Sequence, residues 1–443
     1  MYSPHTTADR EEMLRAIGVA SMDELLAQVP ANLRSSNFDW PAALAEPELM
    51  AHARELAAKN RPLACFAGAG AQDHYIPAAV KALVGRGEFL TAYTPYQAEA
   101  SQGTLQAIYE FQSSVCALYG MAASNASLYD GATALAEAVT AAARITARKK
   151  ILLPESLHPE WRDVLKTYFG AKGEPKLETI PCPTGRMDLA EVDKRLDDAV
   201  AAVVVATPNF YGILEDGPAL AEKAHAKGAL LIAVADPVSL GVLEAPGVWG
   251  ADIAVGEGQG LGNALGYGGP YLGLFACKKA HMRHIPGRVC GLTVDAEGKR
   301  GFVLTLQARE QHIRRERAAS NICSNEALCA LSATIQLALL GPAGLKEVAE
   351  LCVDKAHRLA EKAGAIPGFR LQFAGPFFNE FVLECPVPAD RVRNALLKDG
   401  ILAGVPLGRY DKAMKNSLLV CATESRTNEE LERFVAALRR VAR

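Results

Sequence analysis

The sequence predicts an α/β protein that has a mostly parallel sheet in a large domain and a smaller α/β unit at its C-terminal end. Between Ile151 and Cys277, short apolar runs alternate with helical patterns, and this βαβα order is typical of a parallel sheet covered by helices on both faces. A second group of patterns lies between Arg370 and Val441, with strand-like runs at Arg370 to Phe373, Glu380 to Glu384 and Ser417 to Cys421 and helical patterns at Ala389 to Lys398 and Asn428 to Val441. The 443 residues also exceed the roughly 250–300 at which a single core stops growing, which favours two domains.

The patterns divide the chain into three parts. Residues 1–66 carry short helical patterns without strands, with Asp9 and Ser21 at positions typical of helix N-caps, so we expect an arm of helices. Residues 67–322 form the expected large domain, and residues 323–443 form the connecting helices and the small C-terminal domain. The arm either wraps a neighbouring or partner chain or covers its own domain.

Two strands of the predicted sheet end in polar loops. The run ALLIAVADPVSLG delivers Asp236, and the next strand delivers the glycine-rich turn GEGQGLG with Gln259. Ligands bind to open α/β sheets at the edge where such loops meet. The turn does not match the dinucleotide-binding pattern G-x-G-x-x-G, because the third glycine would fall on Leu261 or on Asn263.

The segment LYDGATALAEA predicts a helix that begins next to Asp130. Backbone N–H groups at a helix start bind anions, and the turn of Gly131 and Thr133 adds a hydroxyl, so a phosphate site is one interpretation. The other is that Asp130 only caps the helix. His158 precedes a proline at another predicted helix start. One interpretation is functional, in which the imidazole stacks on a ligand ring or acts as an acid or base. The other is structural, in which local hydrogen bonds hold it.

A loop rich in aromatic rings and polar groups precedes the next predicted helix. Tyr93, Thr94, Tyr96 and Gln97 surround Pro95, which stiffens the loop. Ordering such side chains is costly unless they contact something, which indicates a binding role. The alternative is that the two rings pack into the core.

The turn at Gln259 resembles the cofactor segment of a known family. In the P-protein of the glycine cleavage system, a glycine decarboxylase, a His-Lys-Thr-Phe sequence precedes a Pro-His pair and four glycines, and the lysine holds pyridoxal phosphate. The glycines and proline of QGLGNALGYGGP align so that Gln259 stands at the lysine and Gly258 at the histidine. The other segments similar to P-protein signatures are YTPYQAEASQG (93–103), NASLYDGATALAEA (125–138), QAREQHIRRERAASNIC (307–323) and PFFNEF (376–381).

The resemblance implies an aspartate-aminotransferase-like fold of the pyridoxal-phosphate enzymes. Some bacteria split the P-protein into two chains, and this chain resembles the α subunit, whose β partner carries the lysine. The implied activity is decarboxylation of glycine by pyridoxal phosphate held on the β subunit, with transfer of the aminomethyl group to the lipoyl arm of the H-protein. An amide cannot form the Schiff base that holds the cofactor. The residues that the resemblance makes vestigial in this chain are Asp130, Gly131, Thr133, His158, Asp236 and Gln259.

The same resemblance implies roles for two surface segments. It places Tyr93, Thr94, Tyr96 and Gln97 at the glycine site, where they complete the site of the partner subunit. The basic run at residues 307–317 is either a solvated face or part of the surface that receives an acidic lipoyl carrier. The alternative to a catalytic role for the whole chain is a scaffold that only stabilises its partner.

Composition excludes several other classes. The net charge of -3 indicates no nucleic-acid partner. The 10 cysteines contain no C-x-x-C pair, so we expect no metal site and small buried thiols in a reducing compartment. We find no signal peptide and no apolar run of 18 residues, and therefore expect a cytoplasmic protein without a membrane partner.

Overall fold

The computed structural model describes residues 4–35, 39–91, 93–171 and 173–442. The chain divides into two compact units, Met1–Arg61 and Pro62–Arg443. The α-helices are α1 (Thr7–Ile17), α2 (Met22–Leu25), α3 (Glu46–Ala58), α4 (Ala78–Val84), α5 (Gly87–Leu90), α6 (Gln102–Tyr119), α7 (Gly131–Thr146), α8 (Pro159–Gly170), α9 (Leu189–Arg195), α10 (Gly217–Ala226), α11 (Gln311–Arg314), α12 (Ala327–Gly364), α13 (Ala389–Lys398) and α14 (Asn428–Val441). The strands are β1 (Ala64–Cys65), β2 (Ala123–Ser124), β3 (Lys150–Pro154), β4 (Lys176–Ile180), β5 (Val200–Ala206), β6 (Leu230–Val234), β7 (Ile253–Glu257), β8 (Gly273–Cys277), β9 (Val289–Val294), β10 (Arg300–Thr305), β11 (Arg370–Leu371), β12 (Glu380–Glu384), β13 (Ile401–Leu402), β14 (Val405–Pro406) and β15 (Ser417–Cys421).

The N-terminal unit consists of short helices whose residues all remain accessible to solvent. Helix α1 begins after Thr6, whose hydroxyl accepts the Asp9 N–H, while the Asp9 carboxylate accepts the Thr6 N–H at 2.7 Å. The prediction of Asp9 as the N-cap is therefore wrong, because Asp9 is the third residue of a capping box. The prediction of Ser21 is confirmed, since its hydroxyl caps α2. Helices α1, α2 and α3 bury none of their residues.

A seven-stranded sheet forms the centre of the second unit. Its strand order is β2-β8-β7-β6-β5-β3-β4, and the pairs from β4 to β7 are parallel. Strands β8 and β2 extend it in antiparallel pairing, so the sheet is mostly parallel, as predicted. Every residue of β5 is buried, and from Ala202 to Ala206 its side chains alternate between two hydrophobic clusters on opposite faces, with Val203 in one and Val204 in the other.

A smaller antiparallel sheet, β11-β12-β15-β14, forms the C-terminal part with α13 and α14. Strand β1 pairs in parallel with β13, and Ala64 and Phe66 belong to the same hydrophobic cluster as the core of this part. Residues 64–66 thus pack with the C-terminal elements. The expected boundaries at 66/67 and 322/323 stay predictions.

Helix α12 connects the two sheets of the second unit. Gly341, with φ 60 and ψ -178, breaks it just before Pro342. Among the described residues, this helix is long and apolar enough to cross a membrane, judged by length and composition alone. The expectation that the sequence contains no apolar run of 18 residues is therefore wrong. Its buried residues contribute to both cores, with Cys329 and Ala333 in one and Leu359 and Ala363 in the other, as in the core helix of a globular fold.

Candidate active site

A cavity of about 100 Å³, the central cavity, lies beyond the C-terminal ends of β5, β6 and β7. Parallel strands deliver their following loops to one edge, so Asp236 after β6 and Gln259 after β7 meet there. His158 closes another side, and Asn379 and Glu380 reach in from the small sheet. The structure therefore brings together three of the residues singled out in the sequence, His158, Asp236 and Gln259.

Gln259 is fully engaged by its own chain. The residue is 3 % exposed. Its amide oxygen accepts the Gln72 N–H at 2.8 Å, and its amide nitrogen donates to the Asn263 carbonyl at 2.7 Å. These bonds fix the side chain in the cavity wall as a structural amide.

The backbone N–H groups at the start of α7 are also hydrogen-bonded to side chains of the protein itself. The Asp130 carboxylate accepts the Thr133 N–H at 2.8 Å, and the Thr133 hydroxyl accepts the Asp130 N–H, so the interpretation of Asp130 as a helix cap is confirmed. The Gly131 N–H, which would point at a phosphate, donates instead to the Glu257 carboxylate at 2.9 Å. Trp161 covers the turn, since a Cβ on Gly131 would lie 2.4 Å from its ring. The chain supplies its own anion at this helix start.

Glu257 was missed in the sequence, although it ends strand β7 directly before the glycine-rich turn. Its second oxygen accepts the N–H groups of Gln259 and Leu272, both at 2.9 Å. Burial raises the pKa of this carboxyl to about 7, and the nearby charge of Asp130 acts in the same direction. A carboxyl group therefore takes the place that an anionic ligand would need.

Asp236 lies at the wall of the cavity, and no cationic side chain of the described residues is bonded to it. One of its oxygens accepts the Val238 N–H at 2.9 Å, and the other is inaccessible to solvent and has no hydrogen-bond partner among the described residues. Burial raises the pKa of Asp236, which the neighbouring His74 partly opposes. The carboxyl is thus poorly stabilised as an anion by its own chain.

His158 is held by two backbone groups. Its Nε2 donates to the Ala69 carbonyl at 2.8 Å, and its Nδ1 accepts the Glu160 N–H at 3.1 Å. Burial lowers its pKa, and with both nitrogens engaged in this way the ring is neutral. The ring packs edge-on against Phe210 at a centroid distance of 4.8 Å. The interpretation as a locally bonded histidine agrees with these contacts.

Glu380 is a second carboxyl that the sequence reading missed. It is the first residue of strand β12, whose last residue, Glu384, is also a glutamate, so the sequence pattern does not single it out. The Ala69 N–H donates to it at 2.7 Å. Burial raises its pKa to about 7, and the charge of Asp236 adds to this effect.

A buried cluster of His74, Cys352 and Glu424 lies beside the cavity, with ligand-type atoms within 4.8 Å of one another. His74 Nδ1 lies 2.7 Å from a Glu424 oxygen, and the Cys352 thiol donates to the same oxygen at 3.3 Å. Burial lowers the pKa of His74, but the hydrogen bond to Glu424 and the charges of Glu424, Asp236 and Asp73 together outweigh it, so the pKa is raised. Burial raises the pKa of the Cys352 thiol, which keeps it protonated and a weak metal ligand. These three groups satisfy one another.

The residues of the cavity do not fit pyridoxal phosphate. No lysine or arginine is among its described lining residues, Gln259 is an amide that cannot form a Schiff base, and Glu257 accepts the Gly131 N–H at a helix start that could bind a phosphate. A phosphate dianion would face Glu257, Asp236 and Glu380 in a poorly solvated site, where like charges repel strongly. No catalytic step is therefore derived through a cofactor in this chain.

The loop from Tyr93 to Gln97, the aromatic loop, lies outside the central cavity. None of the four residues singled out in it, Tyr93, Thr94, Tyr96 and Gln97, lines that cavity. Tyr93 is 68 % exposed and Tyr96 is 80 % exposed, so the alternative that both rings pack into the core is wrong. Pro95 is buried, and Thr94 accepts a hydrogen bond from Arg288. Two anchors thus hold a loop whose rings face outward.

Comparisons with known proteins agree on one family. The family described as glycine cleavage system P-protein matches residues 1–438. The chain is 50 % identical to probable glycine dehydrogenase (decarboxylating) subunit 1 of Desulforamulus reducens and 52 % identical to that of Moorella thermoacetica, covering 99 % of both chains in each case.

Solved structures give the same result. A crystal structure of glycine decarboxylase (P-protein) of the glycine cleavage system, in inhibitor-bound form, matches with a TM-score of 0.89 and 49 % identity over 100 % of both chains. An alanine–glyoxylate aminotransferase from Nostoc shares only the fold, with a TM-score of 0.62 and 17 % identity over 93 % of this chain and 100 % of that chain. The fold is thus the aspartate-aminotransferase-like fold of pyridoxal-phosphate enzymes, as the sequence predicts, and the chain belongs to the glycine cleavage system P-protein family.

Proposed function

We propose that this chain is the subunit of glycine decarboxylase that completes a site whose cofactor is held by a second, lysine-bearing β subunit. The observation that carries the proposal is the central cavity, in which Gln259 is bonded at both ends of its amide and Glu257 accepts the Gly131 N–H at the start of α7. The relatives are described as subunit 1, which fits a division of labour between two chains. Pyridoxal phosphate on the partner supplies the electron sink for loss of carbon dioxide.

The reaction proposed for the complex joins decarboxylation to a redox step. Glycine loses carbon dioxide, and its aminomethyl group is joined to one sulfur of the lipoyl disulfide on the H-protein while the other sulfur is reduced to a thiol. The contribution of this chain is to bind and enclose glycine, which is too small to be held by apolar contact alone. We place the complex in the cytoplasm.

The aromatic loop is the part of this chain that we assign to glycine. The exposed Tyr93 and Tyr96 rings are held outward by buried Pro95 and by the bond from Arg288 to Thr94. Their hydroxyls, with those of Thr94 and the amide of Gln97, are suited to bind a small carboxylate, and the rings are suited to exclude water around it. An apolar exposed ring on a fixed loop is stabilised when a partner covers it.

The surface next to this loop is basic. Arg288 contacts Thr94, and Arg309 donates to the Gly287 carbonyl at 2.8 Å, which ties the basic segment to the same region. Within this basic segment, the side chains of Arg314 and Arg317 are exposed. We propose this segment, residues 307–317, as the surface that attracts an acidic lipoyl carrier, since opposite charges accelerate association.

The N-terminal unit supplies the proposed contact with the β subunit. Helices α1 to α3 bury no residue of their own, and unsatisfied apolar surface of this kind marks protein interfaces. The exposed apolar side chains of this unit include Met13, Ile17, Met22, Leu26, Leu33, Leu44, Leu49, Met50 and Leu56.

The test is reconstitution of glycine decarboxylation from this chain, the β subunit and the H-protein. We expect turnover only when both subunits are present. In the assembled complex, Tyr96→Phe and Gln97→Ala should each lower turnover by about 10²–10³ if the lost group acts in the transition state. Lys166→Ala, which removes a cation with a side chain 71 % exposed on α8, is the control and should leave turnover unchanged.

Assembly of each variant complex is checked by size-exclusion chromatography. Wild-type turnover in both loop variants, with normal assembly, would favour the alternative that this chain only stabilises its partner.

A further inference from the structure

The antiparallel ribbon formed by β9 and β10 has an uncovered outer half. Cys290 and Phe302 are buried in a hydrophobic cluster with residues of α6. Leu292 and Val294, two and four residues further along β9, are 52 % and 64 % exposed. Side chains two residues apart lie on the same face of a strand, so these two continue the face that is buried at Cys290. The outer half of β9 therefore presents apolar side chains to solvent.

The chain closes part of both edges of this ribbon with glutamine side chains from α6. Gln102 accepts the Phe302 N–H at 2.9 Å and donates to the Phe302 carbonyl at 2.8 Å. Gln112 does the same at Cys290, with both distances 2.8 Å. An amide that bonds in this way takes the place of a neighbouring strand at one residue. The backbone groups of Phe302 and Cys290 thus point out of the ribbon, one on each edge.

The register carries this direction to the uncovered half of β9. Leu292 lies opposite Phe302, and Val294 lies opposite Arg300. In an antiparallel pair, residues that exchange hydrogen bonds alternate with residues whose N–H and C=O groups point away from the neighbouring strand. Leu292 and Val294, two and four positions after Cys290, belong to the second kind. Their backbone N–H and C=O groups have no hydrogen bond to any other described residue.

The opposite edge of the ribbon, along β10, is blocked. Arg300 places a charged side chain at the outer end of this edge, where charge discourages pairing with another strand, and Gln102 closes the next outward position at Phe302. The edge of β9 has neither feature at Leu292 and Val294. An uncovered apolar strand edge of this kind is a template for a further strand.

The position of this edge indicates which partner covers it. Arg288, directly before β9, donates to Thr94 of the aromatic loop, the part of this chain assigned to the site of the β subunit. A strand paired with β9 would continue the same contact surface. The exposed pair Leu292 and Val294 also favours a permanent partner, because permanent interfaces are more apolar than transient ones. A transient acidic carrier matches this apolar edge less well.

We propose that an extended segment of the β subunit pairs with Leu292 and Val294 as a third strand of the ribbon. The segment bonds to their backbone N–H and C=O groups and places β-branched or aromatic side chains beside theirs. It carries no proline at the paired positions, since proline has no N–H to donate. This pairing rests on the association with the β subunit that is proposed for this chain.

Amide hydrogen exchange tests the pairing, with the full-length chain alone and in complex with the β subunit. Mass spectrometry with electron-transfer fragmentation resolves single residues. In the chain alone, the N–H groups of Leu292 and Val294 exchange rapidly. In the complex both are protected, because each is hydrogen-bonded to the partner. The Arg300 N–H, which points out of the opposite edge, exchanges rapidly in both states.

A pair of proline variants tests the backbone contact itself. Leu292→Pro breaks no hydrogen bond of the ribbon, since this N–H points outward. It should weaken association with the β subunit by about 10-fold to 100-fold, because one hydrogen bond is lost and a partner carbonyl is left unpaired. Arg300→Pro is the matched control, since it removes an outward N–H at the first residue of β10, where proline is tolerated. Its affinity for the β subunit should equal that of the wild type in fluorescence titrations.

Three results would overturn the pairing: rapid exchange of the Leu292 N–H in the complex, protection of the Arg300 N–H equal to that of Leu292, or equal affinities of the two proline variants. Exchange in the wild type decides the question even if Leu292→Pro fails to fold. A wild-type chain that does not associate with the β subunit would overturn the proposed function and the pairing together, whereas a complex with an unprotected Leu292 N–H would overturn the pairing alone.

Discussion

Replacing Glu380 by glutamine tests whether the central cavity is a desolvated acidic site. Burial raises the pKa of this carboxyl from 4.5 to about 7. Between these two values the folded state binds more protons than the unfolded state, so wild-type stability falls as the pH rises through this interval. At 1.36 kcal/mol per pKa unit, the full loss above pH 7 is about 3 kcal/mol.

Glutamine removes this loss, because it stays uncharged while its amide oxygen still accepts the Ala69 N–H. The free energy of unfolding of Glu380→Gln relative to the wild type should therefore rise by about 3 kcal/mol between pH 4.5 and pH 8. Glu257, whose pKa is also about 7, contributes equally to both proteins and cancels in the difference.

The assay is urea unfolding of the full-length chain at a series of pH values, followed by circular dichroism. The control is Glu347→Gln at an exposed position of α12, for which we expect a difference from the wild type that does not change with pH. A pH-independent difference for Glu380→Gln, or one that falls as the pH rises, would refute the desolvation argument.

Two further substitutions test local geometry. Gln259→Lys in the chain alone should give no borohydride-reducible adduct with pyridoxal phosphate, because Glu257 still holds the helix start; peptide mass spectrometry after reduction checks this. Gly212→Ala should destabilise the protein by more than Gly298→Ala. A Cβ at Gly212 would lie 1.9 Å from the Glu380 carbonyl oxygen, whereas a Cβ at Gly298 would have no atom of the described residues within 4 Å. The two glycines have nearly equal positive φ, 82 and 81, so backbone strain is the same in both variants. Urea midpoints of the two variants make the comparison, and equal losses would contradict it.

The fold was largely predictable because its elements have strong local periodicity. The sequence patterns indicate β12, β15, α13 and α14 with the bounds that the structure shows, since each combines a regular apolar spacing with a clear start or stop signal. The N-terminus of α1 was misplaced by one turn because Thr6 and Asp9 are both good capping residues, and only their reciprocal hydrogen bonds show which one is the cap.

The site was predictable only in part. The sequence pointed to Asp236 and Gln259 because each follows a buried strand, and parallel strands bring such loops to one edge. It did not point to Glu257 or Glu380, whose importance comes from burial and from bonds to residues more than 100 positions away in the chain. Such contacts leave no local spacing to detect, so the acidic character of the cavity required the structure.

The most direct test of the central claim, that this chain does not hold the cofactor, is borohydride reduction of the assembled two-subunit complex loaded with pyridoxal phosphate, followed by peptide mass spectrometry. The account predicts a stoichiometric adduct on one lysine of the β subunit and no such adduct on any lysine of this chain. A stoichiometric adduct on a lysine of this chain would contradict it.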